Sequence, residues 1–153
     1  MRTNSAVRTP AKFSAGWRLE RVRSNEFGYQ DTPIEGGVAA DVARTLPVAL
    51  KRQLAAVNMR SIHPVELSRL SGRLHHMGYL SHDAWSQLGE FQVDYRSPID
   101  PTALTKEALR TLRGVDNAKY ALAIRQYEAG IAAAQSLTEL TDYLRNHLVD
   151  LYA

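Results

Sequence analysis

The sequence predicts an all-α protein: a compact bundle of about five or six short to medium helices, with a flexible basic N-terminal leader and one extended connector. Three observations predict it. Apolar residues recur at three- and four-residue intervals over most of the chain from Gly37 onward. Capping residues, prolines and glycines punctuate those intervals where helices should start and stop. The hydrophobic fraction is 44% of 153 residues, enough for one ordinary core. No apolar run approaches the roughly 18 residues that span a bilayer, so no membrane span is expected. The expected division is therefore a leader over residues 1–36 and a helical domain over 37–153.

The leader carries Arg2, Arg8, Lys12, Arg18, Arg21 and Arg23 against Glu20 alone in its first 24 residues. The overall charge of +3 thus has its basic excess at the N-terminus, and the remainder is slightly acidic. Ser, Thr and Asn are frequent there, apolar periodicity is weak, and Asp31, Thr32, Pro33, Gly36 and Gly37 continue the pattern. Such a segment fits a solvated tail, an arm touching phosphates or an acidic partner, or a secretion signal of the unstructured kind. Its basic residues have no apolar stretch behind them, so it does not read as a Sec-type signal. A cytoplasmic location is the simplest expectation.

Val38, Val42, Leu46, Ala49, Leu50, Gln53 and Val57 share one side of a helical wheel. Pro47 interrupts this segment, which should kink or divide there, with Thr45 or Leu46 ending the first piece. Residues 62–89 then spell two helices and a corner. His63 stands at a cap position, Pro64 takes the first helical position, and Glu66 puts a carboxylate in the first turn. Ile62 and Leu67 have the spacing of a hydrophobic staple, and Leu67, Leu70, Leu74 and Met77 form an apolar stripe. Gly78 ends that helix, because glycine enters the left-handed conformation without a Cβ clash. Ser81 caps the next, Leu80 and Trp85 repeat the staple spacing, and Gly89 provides a stop.

Phe91, Val93 and Tyr95 alternate with Gln92, Asp94 and Arg96, the period of a strand. With no partner run in sight, this is the expected extended connector. Asp100 followed by Pro101 starts another helix, with a stripe of Leu104, Ala108 and Leu112 before Gly114. Tyr120, Ile124, Tyr127 and Ile131 form a packing face, with alanines beside it that let another helix approach. Ser136 and Glu139 have capping-box spacing, and Leu137, Leu140, Leu144, Leu148 and Leu151 follow as a stripe. The last two helices are thus expected to form a hairpin around Gln135 and Ser136.

The run LSRLSGRLHHMGYLSHDAWSQL, residues 67–88, resembles the SHOCT type of short helical hairpin. Leu67, Leu70, Leu74, Gly78, Leu80, Ser81 and Trp85 carry the likeness. The resemblance implies association with protein or nucleic acid, without a reaction.

The chemistry-bearing residues point the same way. There is no cysteine, and hence no disulfide, thiolate ligand or cysteine nucleophile. Four of the five histidines, His63, His75, His76 and His82, crowd the corner and are the best metal candidates. No two of the five stand at the i, i+4 spacing that aims two imidazoles from one helix face, so no metal site is expected. No phosphate loop or nucleophile elbow is present, so neither an enzyme nor a cofactor is expected. The expected function is a non-enzymatic adaptor or regulatory protein that works by helix-in-groove contacts with a protein partner or by self-association. The candidate interaction residues are Met77, Tyr79 and Trp85 at the corner and Leu140, Leu144, Leu148 and Leu151 on the last helix. The main alternative is a helix-turn-helix-like nucleic-acid binder using the basic arm and a stripe of Arg69, Arg73 and His76. A third reading is a small enzyme or metal-binding protein built on the histidines between His63 and His82.

Overall fold

A computed structural model of the chain describes residues 34–115 and 118–147. Among them are six helices: α1 (Ala39–Thr45), α2 (Val48–Ala55), α3 (Pro64–His76), α4 (His82–Asp94), α5 (Pro101–Arg113) and α6 (Ala121–Asn146). The all-α expectation holds. Most of the expected leader, and the last two leucines of the terminal stripe, lie outside the described residues. None of the described helices is long and apolar enough to cross a membrane.

The local start and stop signals work as chemistry requires. His63 Nδ1 accepts from the Val65 N–H at 3.2 Å, Ser81 Oγ from Ala84 at 3.2 Å, and Asp100 Oδ1 from Ala103 at 3.2 Å. Each cap satisfies an otherwise orphaned donor and contributes about 1 kcal/mol. Gly78, at φ 87°, closes α3. There the Tyr79 N–H reaches back to the Leu74 carbonyl at 2.8 Å and the Gly78 N–H to that of His75 at 3.0 Å, the paired bonds of a Schellman turn. Pro47 divides the first helical segment as expected, leaving Leu46 extended at ψ 140° because an α conformation before proline clashes with its ring.

Helix α6 is the centre of the bundle, packing against α1, α2, α4 and α5, while α3 and α4 pack together as a hairpin. Its buried face runs through Gly130, Ala133, Ala134, Leu137, Leu140, Thr141 and Leu144 without a break of phase. This corrects the expected hairpin at Gln135 and Ser136: one helix continues through both. Ser136 makes no cap, and its hydroxyl instead accepts the Gly36 N–H at 3.0 Å.

Four further expectations shift. Gly89 is not a stop, since α4 runs on to Asp94 with Ala84, Gln87, Leu88 and Phe91 buried at helical spacing. The extended connector is present but begins at Tyr95 rather than at Phe91, whose ring is core. Farther along it, Ile99 and Ile62 exchange two backbone hydrogen bonds of 2.9 Å in an isolated antiparallel bridge. On α5 the buried line is Pro101, Thr105 and Leu109, while Leu104, Ala108 and Leu112 are half-buried. The Thr105 hydroxyl fits this face by donating to the Pro101 carbonyl at 2.7 Å. Residues 34–36, placed in the leader by the sequence, belong to the folded body, with Ile34 1% exposed.

Candidate interaction site at the α3–α4 corner

The corner residues 77–81 turn the chain so that the end of α3 faces the start of α4, and this brings three rings together. His75 and Trp85 stack with centroids 4.6 Å apart and planes 1° from parallel, and His82 sets its edge to Trp85 at 5.3 Å and to His75 at 6.0 Å. His75 Nδ1 lies 3.0 Å from the Leu80 carbonyl. A carbonyl only accepts, so Nδ1 carries the proton. Burial pushes the His75 pKa down, and the ring is therefore neutral at physiological pH. The stack orients the indole through a neutral ring whose own position is fixed by a backbone bond. Trp85 remains 36% exposed, a large aromatic held at the surface.

The other candidates divide. Met77 is half-buried against the core. Tyr79 is fully buried, and its hydroxyl donates to the Thr45 carbonyl at 3.0 Å, joining the corner to the end of α1. Leu140 and Leu144, 1% and 2% exposed, are core and offer no surface in this fold. Leu148 and Leu151 fall outside the described residues. Of the seven interaction candidates, Trp85 alone combines description with substantial exposure.

Arg69, Arg73 and His76 are exposed on α3, as their positions opposite the leucine stripe require. Gly72 shares their face, and a Cβ there would lie 3.6 Å from Trp85 Nε1, so the indole borders the basic stripe. Arg73 is bonded to the Gln53 side chain on α2. Helix α4 brings Asp83 rather than a cation to the patch, and Arg125 of α6 pairs with it at 3.4 Å.

The histidines do not converge on a metal. Among the described residues no group of three or more histidines and carboxylates is arranged to hold one. His63, away from the stack, bridges the Val65 N–H and the Arg96 carbonyl through its two ring nitrogens.

One residue here has no counterpart in the sequence reading. Glu35, just ahead of α1, accepts the Ser81 N–H through Oε1 at 2.6 Å and the Ser81 hydroxyl through Oε2 at 2.9 Å. Burial pushes its carboxyl up to about 7, although the two Ser81 bonds pull it down. A single glutamate beside a glycine pair gives no periodic or spacing signal by which to find it.

Comparison with known proteins finds no matching family model, no matching curated protein and no matching solved structure.

Proposed function

We propose that this is a non-enzymatic adaptor or regulatory protein that binds another protein chain, or a second copy of itself, through the α3–α4 corner. One observation carries the reading: Trp85 is exposed, yet held in place by its stack on His75. A large aromatic whose rotamer is already fixed loses little entropy on binding, which is why such side chains anchor interfaces. Met77 adds a polarizable neighbour at the same corner. The SHOCT-like spacing of residues 67–88 agrees with a contact unit. The absence of cysteine is compatible with a reducing cytoplasm.

A nucleic-acid role is the second reading, favoured by the exposed Arg69, Arg73 and His76 beside an aromatic ring that can stack on a base. Against it, α4 carries His82, Asp83, Ser86 and Gln87 and no Arg or Lys, poor equipment for a recognition helix.

Affinity capture from the native host separates the two. Trp85→Ala is expected to lose a protein that the wild type and the Arg69→Glu, Arg73→Glu double variant both retain. Salt-dependent retention on duplex DNA, lost in the double variant, would replace the first reading by the second. Capture indifferent to Trp85 would remove the corner from the mechanism.

A further inference from the structure

Exposed apolar side chains stand at both ends of the seam between α3 and α4, with open space between them. The two helices run antiparallel, and three cross-contacts fix their register. His63 Nε2 lies 3.2 Å from the Arg96 carbonyl, a Cβ at Gly89 would lie 4.0 Å from Ser68 Oγ, and a Cβ at Gly72 would lie 3.6 Å from Trp85 Nε1. Apart from the helix's own backbone, no other described atom comes within 4 Å of either Cβ position. Neither glycine has a positive φ. Glycine weakens a helix interior, and here neither backbone conformation nor close packing requires it. Gly130 is the contrast, because a Cβ there collides with Gln87.

On α4, Trp85, Gly89 and Val93 follow at four-residue steps and so share one line, with Trp85 exposed and Val93 69% exposed. On α3, Val65, Arg69 and Gly72 form the neighbouring line, and Val65 is 38% exposed. A trough about 12 Å long thus runs along the seam, from Trp85 at the corner to Val93 and Val65 at the other end. Its floor at Gly72 and Gly89 is bare backbone. Arg69 stands on the rim, exposed and with no carboxylate partner among the described residues. Glu66 and Glu90 stand about 100° or more around their helices from the two glycines.

We propose that this trough receives an amphipathic helix of another protein, which carries a large apolar residue at each end of the contact and a carboxylate between them for Arg69. The proposal rests on Trp85 as the anchor of the corner and adds the direction, length and charge of what lies on it. The two apolar residues stand about seven or eight positions apart, a rise of about 10–12 Å along a helix. Charge decides against a second copy. A two-fold contact would lay Arg69 on the same face of its twin, beside Arg73 and His76, where a carboxylate is needed. A rim charge sets orientation and encounter rate more than affinity, so binding through Trp85 survives the reversal of Arg69.

A displayed library of peptides of about 18 residues, five turns of helix, selected on the whole chain, tests this. Enriched sequences are expected to carry the two apolar residues at that spacing with Asp or Glu between them. A synthetic peptide of that consensus should move the Gly72, Gly89 and Val93 amides in NMR spectra. Gly89→Leu fills the trough while removing a helix-weakening glycine, so it should melt no lower than wild type yet bind the peptide at least tenfold more weakly. Trp85→Ala should lose binding as well. If Trp85→Ala weakens the peptide and Gly89→Leu does not, the corner remains a contact and the trough is refuted; if neither matters, both fall. A lower Tm in Gly89→Leu, enrichment without the acidic and apolar pattern, or a dimer in light scattering that Gly89→Leu dissolves would each overturn the proposal.

Discussion

Replacing Gly130 by alanine sets two effects of known size against each other. In an ordinary helix interior the change favours folding by about 1 kcal/mol. Here a Cβ at position 130 would collide with Gln87 Cγ and stand 3.0 Å from Gln87 Cβ on α4. Carbon atoms in good contact are about 3.5–4.0 Å apart. Gln87 Cβ moves only with its helix, and the side chain is 5% exposed. Overpacking of this kind costs about 1–3 kcal/mol. The demand for movement at a Cβ places it at the upper end, for an expected net loss of about 1–2 kcal/mol after the helix gain. At roughly 4 °C per kcal/mol this lowers Tm by about 4–8 °C.

The same contact contains its own control. Among the described residues Gln87 Oε1 is buried without a hydrogen-bond partner, so Gln87→Ala removes an unsatisfied acceptor while leaving a cavity. These two effects are each about 1–3 kcal/mol and opposite in sign, leaving the single variant near wild type. In the double variant the new methyl group enters the vacated space, and stability should return with a coupling energy of at least about 1 kcal/mol. Thermal and urea unfolding followed by circular dichroism measure all four proteins. A stabilised Gly130→Ala, or a double variant no better than Gly130→Ala, would refute the close approach of α4 and α6 and with it the placement of the corner.

Two further expectations follow from burial and charge. Leu144→Asp puts a carboxylate into the core, so it should unfold the protein by circular dichroism; a folded monomer obtained from a wild-type dimer would instead make α6 an interface. Arg60 and Arg145 hold the Asp142 carboxyl below its usual range. Its contribution is therefore present above the ordinary carboxylate pKa and lost as pH falls through the lowered one. Asp142→Asn should remove that part of the acid-side slope in a Tm-against-pH series while leaving the slope above pH 6 unchanged.

The legible parts of the fold were those decided within a few residues. Caps at His63, Ser81 and Asp100, the break at Pro47 and the turn at Gly78 each depend on one side chain or one φ angle, and the sequence displays both. The errors came where a local signal yielded to burial. Ser136 and Glu139 have the spacing of a start signal, but Ala133, Leu137, Leu140 and Leu144 stay in phase across them, and burying that continuous face outweighs a cap of about 1 kcal/mol. Phe91, Val93 and Tyr95 alternate with polar residues, yet Phe91 also completes the ladder begun at Ala84 and Leu88, and six-residue alternation loses to thirteen-residue periodicity. At the site, the staple spacing singled out Trp85, but its stack on His75 joins two helices and exists only once the corner is folded. Glu35 and Ser81 are 46 residues apart, a pairing beyond any local pattern.

Trp85 is where the proposed function is most exposed to disproof. With a captured partner in hand, calorimetric titration of wild type and Trp85→Ala, compared at equal helicity and closely similar Tm, measures what the indole contributes. The expected loss is at least about 2 kcal/mol, or roughly 30-fold in Kd, the size found for buried aromatic anchors. An equal Kd for the two proteins would contradict the corner as the binding surface.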